Sequence, residues 1–375
     1  MSFSRMVLAL TFFVTVGSTA VLAADSPQLQ LPTLLQGLGL RESAIASRDM
    51  PGWQKPRRIV VRNMMGQDVA ARFNAAIPDV EIVGVSNAKE AVTAVRGAQV
   101  LIGFCDQAVF DAADQLHWVQ VFWAGVEDCV ALPGMQTGDI VLSNGQRLSS
   151  PAIAEYTIGV MFSLMRNLDG YYQSQLDQKW APLYGGPSQS MGELSGRTML
   201  VVGLGGIGTQ VAQRAHALGM RVLATRSSRR EGPDFIDYVG LSDEALTLAQ
   251  KADVVVNATP LTPQTRGMFD AAFFEAMKPG AYFISVGRGQ STVTNDLVAA
   301  LKEGKIAGAA LDVTDPEPLP ADHELWRAPG IIITPHISAQ SPETMQRVGA
   351  LVAENLRRYV AGQPLLSVVN VKRGY

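Results

Sequence analysis

Three segments of the chain place charged or titratable side chains at the end of an apolar, β-branched run. Arg288 follows one run, the acids Asp312, Asp315 and Glu317 end or follow the next, and His336 follows the last. A guanidinium can hold a carboxylate and polarise a neighbouring carbonyl. An imidazole with a carboxylate beside it can donate a proton at neutral pH. These residue types predict a site that binds a small carbonyl acid and protonates it.

A glycine-rich turn lies between a predicted strand at 198–202 and a predicted helix at 209–218. It reads GLGGIG over residues 203–208, in the strand-turn-helix setting of a dinucleotide-binding motif. The first glycine permits a tight turn, the second lets a pyrophosphate approach the backbone, and the last lets helix and strand pack closely. The candidate cofactor contacts of this turn are Gly203, Gly205, Gly206, Ile207 and Gly208.

The end of the next predicted strand, at 221–224, indicates which nicotinamide cofactor binds. An acid at this place accepts hydrogen bonds from the adenine ribose and repels a 2′-phosphate. The chain has instead TRSSRR over 225–230, and Arg226, Ser227 and Arg229 offer donors suited to a phosphate. We therefore expect NADP(H) to be preferred, with NAD(H) also able to bind. The alternative is a solvated basic turn.

Together these features predict hydride transfer between a nicotinamide ring and a 2-oxo or 2-hydroxy acid. From residue 57 to residue 375 the chain resembles the D-isomer-specific 2-hydroxyacid dehydrogenase family. Beyond the glycine turn, the resemblance lies in the segments 258–266 (ATPLTPQTR), 277–289 (MKPGAYFISVGRG), 308–320 and 334–338.

The resemblance implies roles for particular residues. The family's catalytic arginine, glutamate and histidine fall on Arg288, Glu317 and His336, and its acid for the nicotinamide carboxamide falls on Asp312. The resemblance also implies that the amides of Ala124 and Gly125 bind the substrate carboxylate. It further implies cofactor contacts at Thr259, Pro260, Val286 and Gly287. The resemblance also implies a homodimer formed across the cofactor domain.

The basic turn resembles that of glyoxylate and hydroxypyruvate reductases that prefer NADPH. We favour reduction of such a small 2-oxo acid to the D-2-hydroxy acid, or the reverse oxidation, and Met64, Met65 and Trp123 suggest an apolar pocket wall. One alternative is a formate or phosphite dehydrogenase on the same scaffold, but formate enzymes resemble this family with glutamine in place of Glu317. Another is a nicotinamide-responsive binding or scaffold protein similar to the family's corepressors, which a complete catalytic set and export argue against.

Apolar β-branched runs alternate with helical stretches from residue 57 onward, which is typical of parallel sheets with crossover helices. The runs lie at 58–61, 80–85, 100–104, 118–122 and 140–142, and then at 198–202, 221–224, 254–257, 282–286, 309–312 and 331–334. An apolar helical pattern at 152–165 and a polar loop at 182–190 separate the two series. We predict two doubly wound α/β parallel-sheet domains. The bounds are 57–150 for a smaller flavodoxin-like substrate domain, 341–375 for the segment that completes it, and 151–340 for an inserted Rossmann cofactor domain.

Composition excludes several classes of partner. The 375 residues are 47% hydrophobic and 17% charged, with a net charge of -3 and dispersed basic residues, so nucleic acid is not an expected partner. Two cysteines and four scattered histidines make a metal site improbable. Cys105 and Cys129 could pair in an oxidising compartment, but we favour two buried thiols that behave as small apolar side chains.

The first residues have the pattern of a secretory signal. Arg5 precedes an uncharged stretch at 6–24, and the small residues Val21 and Ala23 stand where a signal peptidase reads. We expect a signal peptide at 1–24, export to the periplasm and no stable membrane insertion, with an uncleaved anchor as the alternative. The leader segment at 25–56 has no steady periodicity and receives no function.

Overall fold

The computed structural model describes residues 37–63, 69–74, 77, 79–180 and 192–374. The predicted signal segment, Met64, Met65 and the predicted loop at 182–190 lie outside the described residues. Within the part that is described, no helix has both the length and the apolar composition needed to cross a bilayer.

The strands of the described residues form three sheets. In chain order they are β1 (Glu42–Ala46), β2 (Arg58–Arg62), β3 (Glu81–Val85), β4 (Val100–Ile102), β5 (Trp118–Gln120), β6 (Val141–Ser143), β7 (Thr198–Val202), β8 (Arg221–Arg226), β9 (Tyr238–Leu241), β10 (Val254–Asn257), β11 (Tyr282–Ser285), β12 (Gly308–Leu311), β13 (Ile331–Ile333) and β14 (Pro364–Leu366).

The helices lie mainly between consecutive parallel strands. They are α1 (Val69–Asn74), α2 (Ala88–Ala94), α3 (Gln107–Ala112), α4 (Glu127–Val130), α5 (Pro133–Gln136), α6 (Ser150–Arg166), α7 (Leu168–Leu176), α8 (Gly206–Ala217), α9 (Ala245–Ala249), α10 (Ala271–Ala276), α11 (Thr294–Lys302) and α12 (Pro342–Val360). Short 3-10 helices lie at Ser47–Asp49, Ser242–Glu244, Gly289–Ser291 and Glu324–Arg327.

The first sheet has five parallel strands in the order β3-β2-β4-β5-β6, which is the flavodoxin-like order. The C-terminal helix α12 returns to this sheet, where Leu356 and Tyr359 share a buried cluster with Ile59 and Trp118. The ring of Tyr359 stacks on that of Trp118 with 4.9 Å between centroids. Burying an aromatic or leucine side chain stabilises a fold by about 1.5–3 kcal/mol, so α12 belongs to the core of the first sheet.

The second sheet has seven parallel strands in the order β13-β12-β11-β10-β7-β8-β9. The order from β9 to β12 is the doubly wound arrangement of a Rossmann domain, and β13 extends it by one strand. The sequence predicts six strands here, and the missing one is β9. Its four residues include a glycine, which is depleted in strands, and they pair only with β8 at the edge of the sheet. Such a short edge strand carries little periodic signal.

The leader segment contains a strand that the sequence does not predict. β1 pairs antiparallel with β14, and Arg48 Nε donates a hydrogen bond to the carbonyl of Gly362 at 2.9 Å. Most residues of β1 are exposed, so the strand shows no apolar alternation from which it could be predicted. Its hydrogen bonds nevertheless join the N-terminal segment to the end of the chain.

Cys105 and Cys129 form a disulfide, with their Cα atoms 5.0 Å apart. The favoured expectation of two free thiols is therefore wrong. Cys105 lies just beyond β4, and Cys129 lies in the helix that follows β5. Because β4 and β5 are parallel neighbours, their carboxyl ends meet at one edge of the sheet and bring the two following segments together.

Candidate active site

The three segments singled out for chemistry follow three adjacent strands of the second sheet. Ser285 in β11, Leu311 in β12 and Ile333 in β13 are paired side by side. Because the strands are parallel, Arg288 and His336 each lie three residues beyond the same level of the sheet. The loops that carry the predicted catalytic side chains therefore start from one carboxyl edge.

The structure brings His336 and Glu317 into direct contact. His336 Nδ1 lies 2.7 Å from Glu317 Oε1, and both side chains are about two-fifths exposed, at 42% and 41%. His336 has a φ of 53°, a left-handed conformation that costs energy for a residue with a Cβ. The surrounding loop must therefore be held in place by other contacts.

Asp312 supplies those contacts. It is 1% exposed, and its carboxylate accepts hydrogen bonds from Thr334 Oγ1 at 2.6 Å, Ile337 N at 2.9 Å and Ser338 N at 3.0 Å. Three donors on both sides of His336 thus converge on one buried carboxylate. In this structure Asp312 fixes the loop that presents the imidazole.

Tyr156 extends this network from helix α6. Its hydroxyl lies 2.7 Å from Thr334 Oγ1 and must donate, because Thr334 donates its own proton to Asp312. Burial, together with the charge of Asp312, raises the pKa of Tyr156 to about 12 despite the opposing hydrogen bond with Thr334, so the phenol stays protonated at neutral pH. Sequence reasoning missed Tyr156, since one polar residue in an apolar helix gives no signal of its own.

Arg288 reaches from the second sheet to the loop that follows β5. Its Nε donates to Glu127 Oε1 at 3.0 Å, and its Nη1 donates to the carbonyl of Gly287 at 2.9 Å. Its Nη2 lies against Gly125, where a Cβ would overlap it. The structure therefore brings Arg288 to Gly125, one of the two predicted substrate-carboxylate amides. Sequence reasoning missed Glu127, although it stands only two residues after Gly125.

The other predicted amide belongs to Ala124, which is exposed on the same loop. Its carbonyl accepts a hydrogen bond from Asn144 Nδ2 at 2.6 Å. Asn144 is 3% exposed and lies just beyond β6, so it fixes the loop from the neighbouring strand.

A cavity of about 320 Å³ lies beside this loop. Trp123 lines it, as predicted for the pocket wall, but much of the lining is charged, with Arg62, Asp106, Glu127 and Asp128. The apolar wall stays a prediction, because Met64 and Met65 lie outside the described residues and the cavity also has apolar lining from Phe104 and Trp123. Arg62 ends β2, Asp106 follows β4, and Glu127 and Asp128 begin helix α4, so these single charged residues gave no sequence pattern.

The glycine turn has the shape that a bound pyrophosphate requires. Gly203 has a φ of 97°, and a Cβ there would lie 2.8 Å from the carbonyl oxygen of Ala258. A Cβ at Gly208 would overlap the carbonyl oxygen of Gly203, whereas Gly205 has nothing within 4 Å of its Cβ position. Helix α8 begins at Gly206, so Gly206, Ile207 and Gly208 lie in its first turn, where amide donors point outward.

The four further predicted cofactor residues lie on two loops that touch each other. Thr259 and Pro260 follow β10, and Val286 and Gly287 follow β11. A Cβ at Gly287 would lie 2.6 Å from the carbonyl oxygen of Thr259. Sequence reasoning missed Asn257, whose buried side chain accepts from Thr259 Oγ1 at 2.7 Å and so holds this junction.

The basic turn begins where β8 ends, at Arg226. Burial lowers the pKa of Arg226 and the nearby Arg229 lowers it further, while Ser227 is exposed beside them. Arg226 Nε is buried and has no hydrogen-bond partner among the described residues. Arg230 instead forms an ion pair with Glu244, with 2.7 Å between Nη2 and Oε1. A buried donor without a partner among the described residues fits a phosphate at this position.

A doubly wound parallel sheet with a glycine turn at its first crossover defines the class of dinucleotide-binding oxidoreductases. Residues 158–338 match the family model described as D-isomer specific 2-hydroxyacid dehydrogenase, NAD binding domain. The chain is 33% identical over 270 residues to a glyoxylate reductase of Thermofilum pendens, which covers 71% of this chain and 78% of the relative. The chain belongs to the D-isomer-specific 2-hydroxyacid dehydrogenase family.

Solved structures agree with this assignment. A D-isomer specific 2-hydroxyacid dehydrogenase family protein from Aeromonas salmonicida matches with a TM-score of 0.72 at 33% identity, over 84% of this chain and 99% of that one. A probable 2-hydroxyacid dehydrogenase from Rhizobium etli, solved with NADP, HEPES and L(+)-tartaric acid, matches with a TM-score of 0.72 at 25% identity, over 85% and 100%. The family is therefore one of NAD(P)-dependent oxidoreductases.

Replacing Asp312 with asparagine tests the loop network. An amide has one acceptor oxygen in place of two, and its NH2 group faces donors, so we expect the free energy of unfolding in urea to fall by about 1–3 kcal/mol. The matched control is Asp322→Asn, because Asp322 is exposed. Equal unfolding midpoints for the two variants would contradict the role of Asp312.

Proposed function

We propose that the protein catalyses the NAD(P)H-dependent reduction of a small 2-oxo acid of the glyoxylate or hydroxypyruvate type to the D-2-hydroxy acid, or the reverse oxidation. The observation that carries the proposal is the 2.7 Å contact of His336 with Glu317. Arg288, against the backbone of Gly125, supplies the matching substrate-binding group. The similarity to a glyoxylate reductase supports the substrate class.

Each residue of the site has a distinct task in this reaction. The amides of Ala124 and Gly125 and the guanidinium of Arg288 hold the substrate carboxylate, and Arg288 also polarises the carbonyl. Glu317 accepts a hydrogen bond from His336 Nδ1, which leaves Nε2 to carry the proton that is transferred to the carbonyl oxygen. The bound nicotinamide supplies or accepts the hydride. Reversal of the same proton transfer serves the oxidation.

Glu127 positions Arg288 in this scheme. It binds Nε at 3.0 Å while the carbonyl of Gly287 binds Nη1, so the Nη2 edge is turned to Gly125. The ion pair also links the two sheets across the site. Both side chains of the ion pair are about one-third exposed, so the pair adds little to the free energy of unfolding. Its main effect is to orient the guanidinium of Arg288.

We further propose that NADP(H) is preferred over NAD(H), with Arg226, Ser227 and Arg229 on the 2′-phosphate. The buried Nε of Arg226, which has no hydrogen-bond partner in the part of the chain that the structure describes, supports this choice. The NADP complex of the Rhizobium etli relative is in keeping with it. A homodimer across the cofactor domain belongs to the same proposal.

Substituting His336 with alanine tests the proton donor. We expect turnover of the 2-oxo acid to fall by about 100-fold or more, because general acid catalysis contributes roughly that much, while NADPH affinity stays nearly unchanged. The control is His216→Ala, an exposed histidine on helix α8. Near-normal turnover of the His336 variant in a steady-state assay would remove this residue from the mechanism.

Replacing Arg226 with aspartate tests the cofactor preference. The new carboxylate repels a 2′-phosphate and can accept from ribose hydroxyls, so we expect the ratio of kcat/KM values to shift from NADPH toward NADH by about 10-fold or more. The control is Lys251→Asp, which makes the same change of net charge. Lys251 precedes β10 and lies at the amino ends of the strands, whereas Arg226 lies at the carboxyl end of β8. An unchanged ratio in the Arg226 variant would rule out the phosphate role.

Export to the periplasm completes the proposal. The disulfide between Cys105 and Cys129 supports it, since disulfides persist in oxidising compartments. Mass spectrometry of the protein from its native host should give an N-terminus at Ala24 or Asp25 in the exported fraction. A cytoplasmic protein that starts at Met1 would contradict export.

A further inference from the structure

Four arginines lie in segments around the glycine turn, which adjoins the basic turn because Leu204 N donates to the carbonyl oxygen of Thr225 at 2.8 Å. Arg226 and Arg229 follow β8, Arg147 lies between β6 and α6, and Arg41 directly precedes β1. Burial lowers the pKa of Arg147, and Arg41 and Arg229 lower it further by their positive charge. Arg229, Arg147 and Arg41 also lower the pKa of Arg226. The four guanidinium groups therefore repel one another.

Arg147 physically bridges the glycine turn and the N-terminal segment. A Cβ at Gly206 would lie 2.7 Å from Arg147 Cγ, so the side chain crosses the start of α8. Its Nη1 donates to the carbonyl oxygen of Leu38 at 3.1 Å. Arg147 also has a φ of 71°, a left-handed conformation unusual for a residue with a side chain. The side chain thus lies over the start of α8, and its guanidinium contacts the N-terminal segment.

Two buried polar atoms in these segments have no partner among the described residues. Ser150 Oγ, in a residue 2% exposed, lies 2.8 Å from the Cβ position of Gly206. Arg226 Nε is the other atom. Buried polar groups are normally hydrogen-bonded, so buried donors without a protein partner among the described residues, in segments rich in arginine, fit an anionic ligand.

We propose that Arg41 and Arg147 complete the site for the 2′-phosphate of NADP(H), so that the N-terminal segment and the first sheet contribute to cofactor recognition. The inference rests on the proposed preference for NADP(H) and extends it beyond the residues that follow β8. A dianionic phosphate is the ligand that relieves repulsion among four guanidinium groups. Arg226 and Arg229 assign that phosphate to the adenine ribose, which doubly wound sheets bind at the end of this strand.

The segment at 25–56 thereby gains a role in cofactor binding through Arg41. Arg41 belongs to the segment whose strand β1 pairs with β14. Arg147 stands at the junction between the first sheet and helix α6, which packs in the core of the second. A phosphate held by all three segments joins the two sheets on the side of the adenosine half of the cofactor.

Calorimetric titration of the full chain with two nucleotides tests this assignment without any substrate. Adenosine 2′,5′-bisphosphate and 5′-AMP differ only by the 2′-phosphate. We expect Arg147→Gln and Arg41→Gln each to weaken binding of the bisphosphate by about 10-fold, the loss of one charge-assisted hydrogen bond, while 5′-AMP binding changes less than about two-fold. Arg147→Lys should restore part of the affinity, because it keeps the charge.

Two reference variants make the outcomes separable. Arg57→Gln removes an exposed arginine that directly precedes β2 and should bind both nucleotides like the wild type. Arg226→Gln should lose affinity for the bisphosphate. If only Arg226→Gln loses it, the roles of Arg41 and Arg147 are refuted and the NADP(H) preference stands.

Two other results would also overturn the inference. Equal weakening of both nucleotides by Arg147→Gln would place this arginine on the 5′-phosphate. A wild type that binds the bisphosphate no better than 5′-AMP would refute the NADP(H) preference itself, and the inference with it. Thermal melting of each variant identifies any loss that comes from unfolding.

Discussion

The parallel pairing of β11, β12 and β13 is the constraint on which the site depends. Their register places Ser285, Leu311 and Ile333 side by side, so three loops leave the sheet at one level. The strand register alone does not fix the conformation of the loop that carries His336. The hydrogen bonds to the buried carboxylate of Asp312 fix it. This carboxylate accepts hydrogen bonds from Thr334, Ile337 and Ser338, on both sides of His336. It thereby holds the imidazole beside Glu317. The register of the three strands and the hydrogen bonds of Asp312 therefore together set the position of His336 relative to Glu317.

A second set of contacts joins the two sheets across the site. Arg288 from the second sheet binds Glu127 from the first, and Arg147 from the first crosses the start of α8 in the second. Both contacts need glycine partners, Gly125 and Gly206, because a Cβ at either position would overlap the arginine or press against it. At each of these two points, a charged side chain from one part of the chain lies against bare backbone of another.

Much of this arrangement could be predicted from the sequence. The parallel strands, the glycine turn and the catalytic segments carry local patterns, because apolar runs and glycines reflect backbone requirements that act within a few residues. The fold class is confirmed, and the contact of His336 with Glu317 agrees with the expected acid-base pair.

The remainder depends on contacts between residues distant in sequence. Glu127 is 161 positions from Arg288, and the disulfide joins cysteines 24 positions apart whose approach depends on neighbouring strands. Neither leaves a periodic signal. The edge strand β9 and the exposed strand β1 were missed because short or exposed strands lack apolar alternation.

The central claim is that this site reduces a 2-oxo acid with a nicotinamide cofactor. The most direct measurement is the absorbance of the reduced nicotinamide in the presence of purified protein and a panel of 2-oxo acids, with NADPH and NADH in parallel. We expect glyoxylate, hydroxypyruvate or a related small acid to oxidise the reduced nicotinamide, faster with NADPH than with NADH. If no acid consumes either cofactor although both the protein and its cofactor binding are intact, the catalytic account is contradicted and a nicotinamide-responsive binding protein takes its place.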